Sequence, residues 1–244
     1  ATFMAAVWAE HDEGRDAYDW ERLDWFDTYL RQAREYLRPI VWNVYTYPDD
    51  MFDRHSYEKG GLVLHMLRTL LGEELFWKGV RQYVRTHAHQ TVETADFRKA
   101  LEEVSGMALD WFFDQWLEHA GHPKLHVTSR WDPERGELVL QVEQRQPLSP
   151  WVPLFRIPTQ VRIVTDAGVE THDVLIHQAA HEFRFPLRQK PRMVLLDPGR
   201  HWLTEQEWDK PTDEWAYQLA HAESVFDRAM AARALGVKLS LIHI

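Results

Sequence analysis

The spacing of apolar residues changes twice along this chain, and this change limits the fold more than any other feature. Up to about Gly121, apolar side chains recur every three or four residues, which is typical of amphipathic helices. From Leu125 to Leu196 they alternate in short runs separated by turns such as Asp166-Ala167-Gly168, a pattern that predicts β-strands. The helical spacing returns after Asp197-Pro198-Gly199. We therefore predict an α+β, multidomain protein whose small β-sandwich lies between two helical regions in the sequence.

Local signals mark several helix ends in the first region. Apolar spacing predicts helices over about residues 18–37 and 56–71, and Gly72 ends the second of them. Thr94 is predicted to be the N-cap of a further helix that ends at Ser105-Gly106. Glycine readily adopts the left-handed conformation that commonly follows a helix, so both glycines indicate helix ends.

Composition and net charge exclude several classes of binding partner. The 244 residues carry a net charge of −10 and contain no run of lysine and arginine, so neither nucleic acid nor an anionic membrane surface is an expected partner. No stretch reaches the roughly 18 apolar residues of a membrane span. The absence of cysteine excludes disulfides and thiolate metal sites, and it favours a cytoplasmic or cysteine-poor bacterial setting.

Both ends of the sequence suggest a partial gene product. The chain starts at Ala1 without an initiator methionine. The residues from Leu239 to Ile244 resemble a translated sequencing-adapter end, so we expect a non-native tail at residues 239–244. From these two observations we expect a fragment of a longer protein.

Tyr57 is the candidate catalytic residue. It lies in the first turn of a predicted helix, where a side chain can project into a cleft and a phenol can donate a hydrogen bond to a developing oxyanion. Gly60 and Gly61 follow, and each costs the helix about 1 kcal/mol relative to alanine. Close approach of another backbone would compensate for that cost. The residues alone favour the other interpretation, in which Tyr57 is a half-buried packing residue.

A family resemblance favours the catalytic interpretation of Tyr57 over the packing interpretation. Tyr57-Glu58-Lys59-Gly60 resembles the Tyr-x-Lys-Gly helix start of the aminopeptidase N and leukotriene hydrolase family of zinc metallopeptidases, the gluzincin aminopeptidases. Other stretches resemble segments of that family in the same order and at matching distances, namely residues 1–4, 91–97, 116–123, 151–154 and 197–198. The resemblance covers residues 1–238.

The resemblance implies a domain organisation. Residues 1–122 would form the helical C-terminal lobe of a thermolysin-like catalytic domain, truncated at its N-terminus. Residues 123–205 would form the β-sandwich domain, and residues 206–238 the start of a C-terminal helical or helical-repeat domain. It also implies a zinc-dependent aminopeptidase that removes N-terminal residues from peptides, in which Tyr57 stabilises the tetrahedral intermediate.

The family's zinc ligands are missing from this sequence. In the family, zinc is held by the two histidines of a His-Glu-x-x-His helix and by a downstream glutamate, and the motif's own glutamate is the general base. No such motif occurs here, since His181-Glu182 lacks the second histidine. The resemblance places the ligands and the base upstream of Ala1, so we expect no metal ligand in this chain and no activity from it alone. The alternative is a non-catalytic relative that serves as a protein-interaction scaffold.

Other groups of polar and aromatic residues offer weaker hypotheses. Histidine pairs at short spacing are expected by chance among 14 histidines, and we favour chance over a metal site. They are His87 and His89, His119 and His122, and His177 and His181. Asp49, Asp50 and Asp53 lack the spacing of a calcium loop, so a solvated loop is favoured. The tryptophans are expected to pack in the core rather than to stack on sugars.

Overall fold

The computed structural model describes the backbone of residues 1–242 and the side chains of residues 1–236. It divides into two compact units. The first comprises Ala1–Ala5 and Trp25–Gly121, and the second comprises Ala6–Asp24 and the residues from His122 onward. Helices and two small sheets make this an α+β protein, as predicted.

The elements before the β-strands are helical. The α-helices are α1 (Thr2–Glu13), α2 (Arg15–Ala33), α3 (Gly60–Leu71), α4 (Glu73–Thr86), α5 (Thr94–Ser105) and α6 (Asp110–Phe113). Two five-residue π-helical turns accompany them: the first π-turn is His55–Lys59, directly before α3, and the second π-turn is Asp114–Glu118, directly after α6. A short 3₁₀ turn covers Pro48–Met51.

Helix ends follow local chemistry, with two corrections to the prediction. Gly72 (φ 77°) and Gly106 (φ 69°) end α3 and α5 as expected. The N-cap of α5 is Glu93 rather than Thr94, because the Asp96 carboxylate accepts the backbone N–H of Glu93 at 2.9 Å. Helix α2 ends at Ala33 rather than near residue 37, and Leu37, whose spacing extended the prediction, is exposed rather than packed on an apolar face.

The expected close approach at the paired glycines involves a side chain rather than a backbone. A Cβ atom at Gly61 would lie 3.1 Å from two ring carbons of Trp25, whereas one at Gly60 would meet nothing within 4 Å. Trp25 is itself buried. The indole face therefore packs directly on the α3 backbone, and this contact accounts for one of the two glycines.

Two sheets form the β region of the second unit. The strands are β1 (Lys124–Asp132), β2 (Glu137–Gln144), β3 (Ile157–Thr165), β4 (Gly168–Ile176), β5 (Ala180–Pro186), β6 (Met193–Leu196) and β7 (Glu205–Trp208). Their order is β5-β2-β1-β7 in one sheet and β4-β3-β6 in the other. All pairs are antiparallel except β1 with β7. Strand β7 was missed, because Glu205–Trp208 has only one buried residue and no apolar alternation.

Helices return after the strands, as predicted. Helix α7 covers Thr212–His221 and α8 covers Val225–Ile242. The expected non-native tail at residues 239–244 lies outside the residues whose side chains are described. The proposed domain boundaries after residues 122 and 205 stay a prediction.

A buried ion pair joins distant parts of the second unit. Arg22 is fully buried, pairs with Asp19 at 2.8 Å, and donates to the carbonyl oxygens of Gly199 (3.1 Å) and Arg200. Those carbonyls belong to a tight turn with positive φ at Asp197 (58°), Gly199 (85°) and Arg200 (51°). The Asp227 carboxylate accepts the N–H of Gly199 at 2.7 Å. Arg22 thus fixes a strained turn from one side while Asp227 fixes it from the other.

We expect Arg22→Ala to lower the free energy of unfolding by about 3–5 kcal/mol, because it removes one partner of a buried pair and leaves two carbonyls without a donor. Arg15 is the matched control, since it contacts the same Asp19 carboxylate at 3.0 Å but is half-exposed. Arg15→Ala should cost less than about 1 kcal/mol. Urea unfolding followed by circular dichroism measures both, and equal losses would contradict the role given to Arg22.

Candidate active site in the first unit

Tyr57 lies in the first π-turn, immediately before α3. The turn is closed by the N–H of Lys59, which donates to the carbonyl of Arg54 at 2.9 Å. Tyr57 is 41% exposed, and its ring centroid lies 6.2 Å from that of Phe52. A π-turn inserts one extra residue into a helical turn and is frequent at functional sites. The side chain of Tyr57 is therefore accessible to solvent while its backbone is hydrogen-bonded.

The Asp53 carboxylate caps this turn. It accepts the backbone N–H groups of His55 (3.0 Å) and Ser56 (3.1 Å), which are free at the start of any helical turn. It also accepts the Tyr36 hydroxyl at 2.6 Å. Arg38 pairs with it through Nε at 3.0 Å and through Nη2. The N-terminal side of the Tyr57 turn is thus fixed by one carboxylate with several donors.

These donors set the charge of the site. Burial alone would raise the pKa of Asp53, but hydrogen bonds from Arg38, Tyr36 and the Ser56 N–H outweigh it and lower the pKa to about 2. Burial, followed by the bond to the Asp53 anion, raises the pKa of Tyr36 to about 12. Near neutral pH, Asp53 is therefore an anion and Tyr36 a hydrogen-bond donor.

His55 is neutral, and its ring is hydrogen-bonded to Asp53. Its side chain is fully buried, and burial lowers its pKa to about 4 although Asp53 partly offsets the effect. Nδ1 lies 3.1 Å from Asp53 Oδ2, so the neutral ring donates through Nδ1. Nε2 is buried and has no hydrogen-bond partner. His55 therefore orients the cap and does not act as an accessible base.

Lys59 ends the first π-turn as a fully buried residue. Its Nζ lies 3.4 Å from the carbonyl oxygen of His119. Burial, with a smaller contribution from Arg38, lowers its pKa to about 7. Lys59 is part of the Tyr-x-Lys-Gly motif, but nothing in the sequence indicated that its side chain is buried.

An apolar groove lies within the first unit, and Tyr57 is one of its lining residues. Its volume is about 630 Å³. Aromatic and aliphatic side chains form most of the wall, among them Phe3, Leu67, Trp77, Val80, Tyr83 and Phe97. Tyr57 therefore offers a phenol beside a mainly apolar concave surface, which is the usual composition of a ligand pocket.

Three of the other candidate histidines, His119, His122 and His181, have local hydrogen-bond partners. His181 Nε2 accepts the backbone N–H groups of His177 and Gln178, each at 3.0 Å, so its lone pair is not free for a metal. His122 Nε2 lies 2.8 Å from Glu205 Oε1. Within residues 1–236, no group of three or more histidine, aspartate or glutamate side chains is placed to hold a metal ion. Trp116 is fully buried, as expected of a core residue, whereas Trp8, Trp20 and Trp151 are exposed.

Sequence reasoning missed the network behind Tyr57. Asp53 was considered only as part of an acidic loop, whereas the structure makes it the cap of the turn. An aspartate just before the first apolar residue of a helix is a known N-cap signal and could have identified it. Nothing in the local sequence pointed to Arg38, because its contact with Asp53 joins residues that are 15 positions apart.

Comparisons of the sequence with known proteins identify the class of protein to which this chain is similar. Residues 1–116 match the Peptidase family M1 domain. The chain is similar to aminopeptidase N of Escherichia coli (strain K12), with 37% identity over 94 residues, 38% of this chain and 11% of that protein. It is similar to glutamyl aminopeptidase of Bitis rhinoceros, with 39% identity over 92 residues, 36% of this chain and 10% of that protein. This part of the chain is therefore similar to the aminopeptidases of family M1.

A solved structure supports the fold over nearly the whole chain. The crystal structure of Legionella pneumophila aminopeptidase A in complex with aspartic acid superposes with a TM-score of 0.75 at 20% identity, covering 96% of this chain and 26% of that one. The family match covers residues 1–116, just under half of the chain, and together the comparisons support peptidase family M1 for a partial chain. Its matched part spans about a tenth of the length of these curated relatives. None of the helices within residues 1–242 has the length and apolar character needed to cross a bilayer.

The Asp53 cap predicts a pH dependence of stability. Because the folded-state pKa of about 2 lies below the ordinary 3.8, Asp53 stabilises the fold above about pH 4, and this contribution is lost as the pH falls towards 2. Asp53→Asn should cost about 3 kcal/mol at pH 6 and much less at pH 2. Exposed Asp49 is the control, and Asp49→Asn should change little. Urea unfolding from pH 2 to 6 measures these free energies. A difference between Asp53→Asn and wild type that does not change with pH would contradict the role given to Asp53.

The histidine contacts predict that the chain purified without an affinity tag contains no stoichiometric zinc. Elemental analysis after dialysis measures the metal content, with a chelator-treated sample as the reference. One tightly held zinc per chain would show that the histidine pairs have been misinterpreted.

Proposed function

We propose that this chain supplies a catalytic tyrosine and part of the substrate groove to a zinc-dependent aminopeptidase that removes N-terminal residues from peptides. Family membership supports the reaction class. The observation that carries the proposal is the position of Tyr57, which is exposed, lines an apolar groove and sits on a capped π-turn. A packing tyrosine needs neither the exposure nor the fixed backbone.

The proposed role of Tyr57 is electrostatic. When water adds to a peptide carbonyl, negative charge develops on the carbonyl oxygen. The Tyr57 hydroxyl would donate a hydrogen bond to that oxygen, and such a donor lowers the barrier most when its position is fixed beforehand. Asp53 and Arg38 contribute by holding the turn, so that little reorganisation accompanies the reaction.

Members of the family are generally zinc-dependent. The sequence contains no His-Glu-x-x-His, and the nearest approach to it places His181 as the acceptor of two backbone N–H groups. We therefore assign zinc, its ligands and the general base to residues outside this chain, and we infer that residues 1–244 alone do not hydrolyse peptides.

The domain assignment forms part of the same proposal. Residues 1–122 would be the helical lobe of the catalytic domain, residues 123–205 the β-sandwich domain, and residues 206–238 the start of a helical domain. The family match over residues 1–116 supports the first of these. A cytoplasmic location stays a prediction from the absence of cysteine.

A chimera tests the role of Tyr57. The segment of Escherichia coli aminopeptidase N that corresponds to this chain would be replaced by residues 1–238, so that Arg22 keeps its partners in the second unit. Tyr57→Phe in the chimera keeps the ring but removes the hydroxyl, so kcat should fall roughly 10²–10³-fold while KM changes little. Tyr47, which is 67% exposed in the same unit, provides the matched control. Tyr47→Phe should leave kcat unchanged.

The kinetic result distinguishes a catalytic role of Tyr57 from a packing role. Steady-state kinetics on an aminoacyl amide, beside a melting curve of the same preparation, shows whether a loss of turnover is a loss of folding. An unchanged kcat in folded Tyr57→Phe would make Tyr57 a packing residue. A folded, zinc-loaded chimera without activity would favour the non-catalytic scaffold.

A further inference from the structure

Two π-turns meet at Lys59. The first π-turn carries Tyr57 and ends at Lys59, and the second π-turn ends α6 and is followed by His119 in an extended conformation. Carbonyl groups at a helix end lack intrahelical donors and carry partial negative charge. Here the Leu117 carbonyl accepts the N–H of Val41 at 2.9 Å, and the His119 carbonyl accepts Lys59 Nζ at 3.4 Å.

Lys59 is buried without a countercharge. The charged groups around it have other partners, since Arg38 pairs with Asp53 and Glu58 pairs with Arg54 at 2.7 Å. The Asp114 carboxylate lies 3.7 Å from the ring of its own neighbour, His119. Among the described residues, no carboxylate pairs with the Lys59 amine. An ammonium group has three donors, so one long hydrogen bond leaves the charged form poorly satisfied.

Lys59 is the last residue of the turn that carries Tyr57, and its side chain is fully buried. The N-terminal side of the turn is fixed by Asp53 and Arg38. On the C-terminal side, Gly60 and Gly61 have no side chain with which to anchor the chain. Trp25 packs on the backbone at Gly61, and Lys59 lies between Tyr57 and these glycines. The buried Lys59 side chain is therefore the part of this anchor that can change its charge.

We propose that Lys59 is a positioning residue for Tyr57 that acts in its neutral form, and that uptake of a proton loosens the turn. The neutral amine packs inside the helical unit and donates to the His119 carbonyl. Protonation favours any opening that exposes the ammonium group to water. This inference rests on the function proposed for Tyr57, because only a catalytic tyrosine gives the position of the turn a functional consequence.

The direction of the pH effect follows from linkage. An exposed lysine has a pKa of 10.5, whereas buried Lys59 has one of about 7. Between these values the open turn binds a proton that the closed turn does not, so rising pH closes the turn. The equilibrium constant for opening should fall about tenfold per pH unit between pH 7 and 10, and it should be constant below 7.

The test uses the 244-residue chain with ¹³C-labelled tyrosine rings. The Tyr57 resonance, assigned through its loss in Tyr57→Phe, should titrate with a midpoint near pH 7. The transition should persist in His119→Gln, which removes the neighbouring imidazole but keeps the carbonyl acceptor. It should be absent from Lys59→Met, whose side chain is similar in length and never charged. A transition that survives in Lys59→Met, or that disappears in His119→Gln, overturns the proposal.

Hydrogen exchange of the π-turn amides, corrected for intrinsic rates, gives the second readout. Wild type should be less protected than Lys59→Met at pH 7, and the two should converge as the pH rises. Lys78→Met removes an exposed lysine of α4 and should match wild type. Equal protection of wild type and Lys59→Met at every pH overturns the proposal.

A direct measurement covers the case in which Lys59→Met does not fold. With ¹³C-labelled lysine, the Cε resonance of Lys59 in wild type should titrate near pH 7, and titration above 10 overturns the proposal. These experiments need no substrate. Their failure is therefore distinct from an unchanged kcat for Tyr57→Phe in the chimera, which would remove the proposed function alone.

Discussion

The pairing of Arg38 with Asp53 is the interaction on which the candidate site depends. A single carboxylate accepts two backbone N–H groups, a phenol and a guanidinium group, and it thereby fixes the start of the turn that carries Tyr57. Arg38 extends the network, since it also donates to the carbonyls of Pro39 (2.7 Å) and Met51 (3.4 Å) and to the Ser56 hydroxyl (2.8 Å). Loss of this pair would release the loop and the turn together.

A π-turn explains how an exposed tyrosine can have a rigid backbone. In an α-helix, an exposed side chain in the first turn is usually near frayed backbone. Here the N–H of Lys59 reaches back to Arg54, and the N–H groups of Ser56 and Tyr57 reach the carbonyl of Asp53 at 3.2 and 3.1 Å. The backbone is fixed on both sides of Tyr57 while its ring stays 41% exposed.

The sequence predicted the elements that depend on local periodicity. It did not predict the features that depend on contacts between residues distant in the sequence. The strands β1 to β6 and the helix ends at Gly72 and Gly106 follow from apolar spacing and from glycine. Strand β7 is determined by parallel pairing with β1, which no local pattern of Glu205–Trp208 reveals. The position of Tyr57 at a helix start was predictable from its motif. The Asp53 cap had a local signal as well, but its partner Arg38 had none, because the two residues meet only after the loop between them has folded.

The two buried basic side chains of the site, Arg38 and Lys59, differ in chemistry, and that difference decides which side of Tyr57 responds to pH. The Arg38 guanidinium group forms hydrogen bonds with a carboxylate, three carbonyls and a hydroxyl. A guanidinium group in a protein does not lose its proton, so the N-terminal side of the turn keeps its ion pair for as long as Asp53 is ionised. The Lys59 amine has a single carbonyl partner and no carboxylate among the described residues, and burial lowers its pKa to about 7. One side of Tyr57 is therefore held by a permanent charge and the other by a group that changes charge near neutral pH. A lysine here lets proton uptake loosen the turn, whereas an arginine would bury a charge that could not be neutralised.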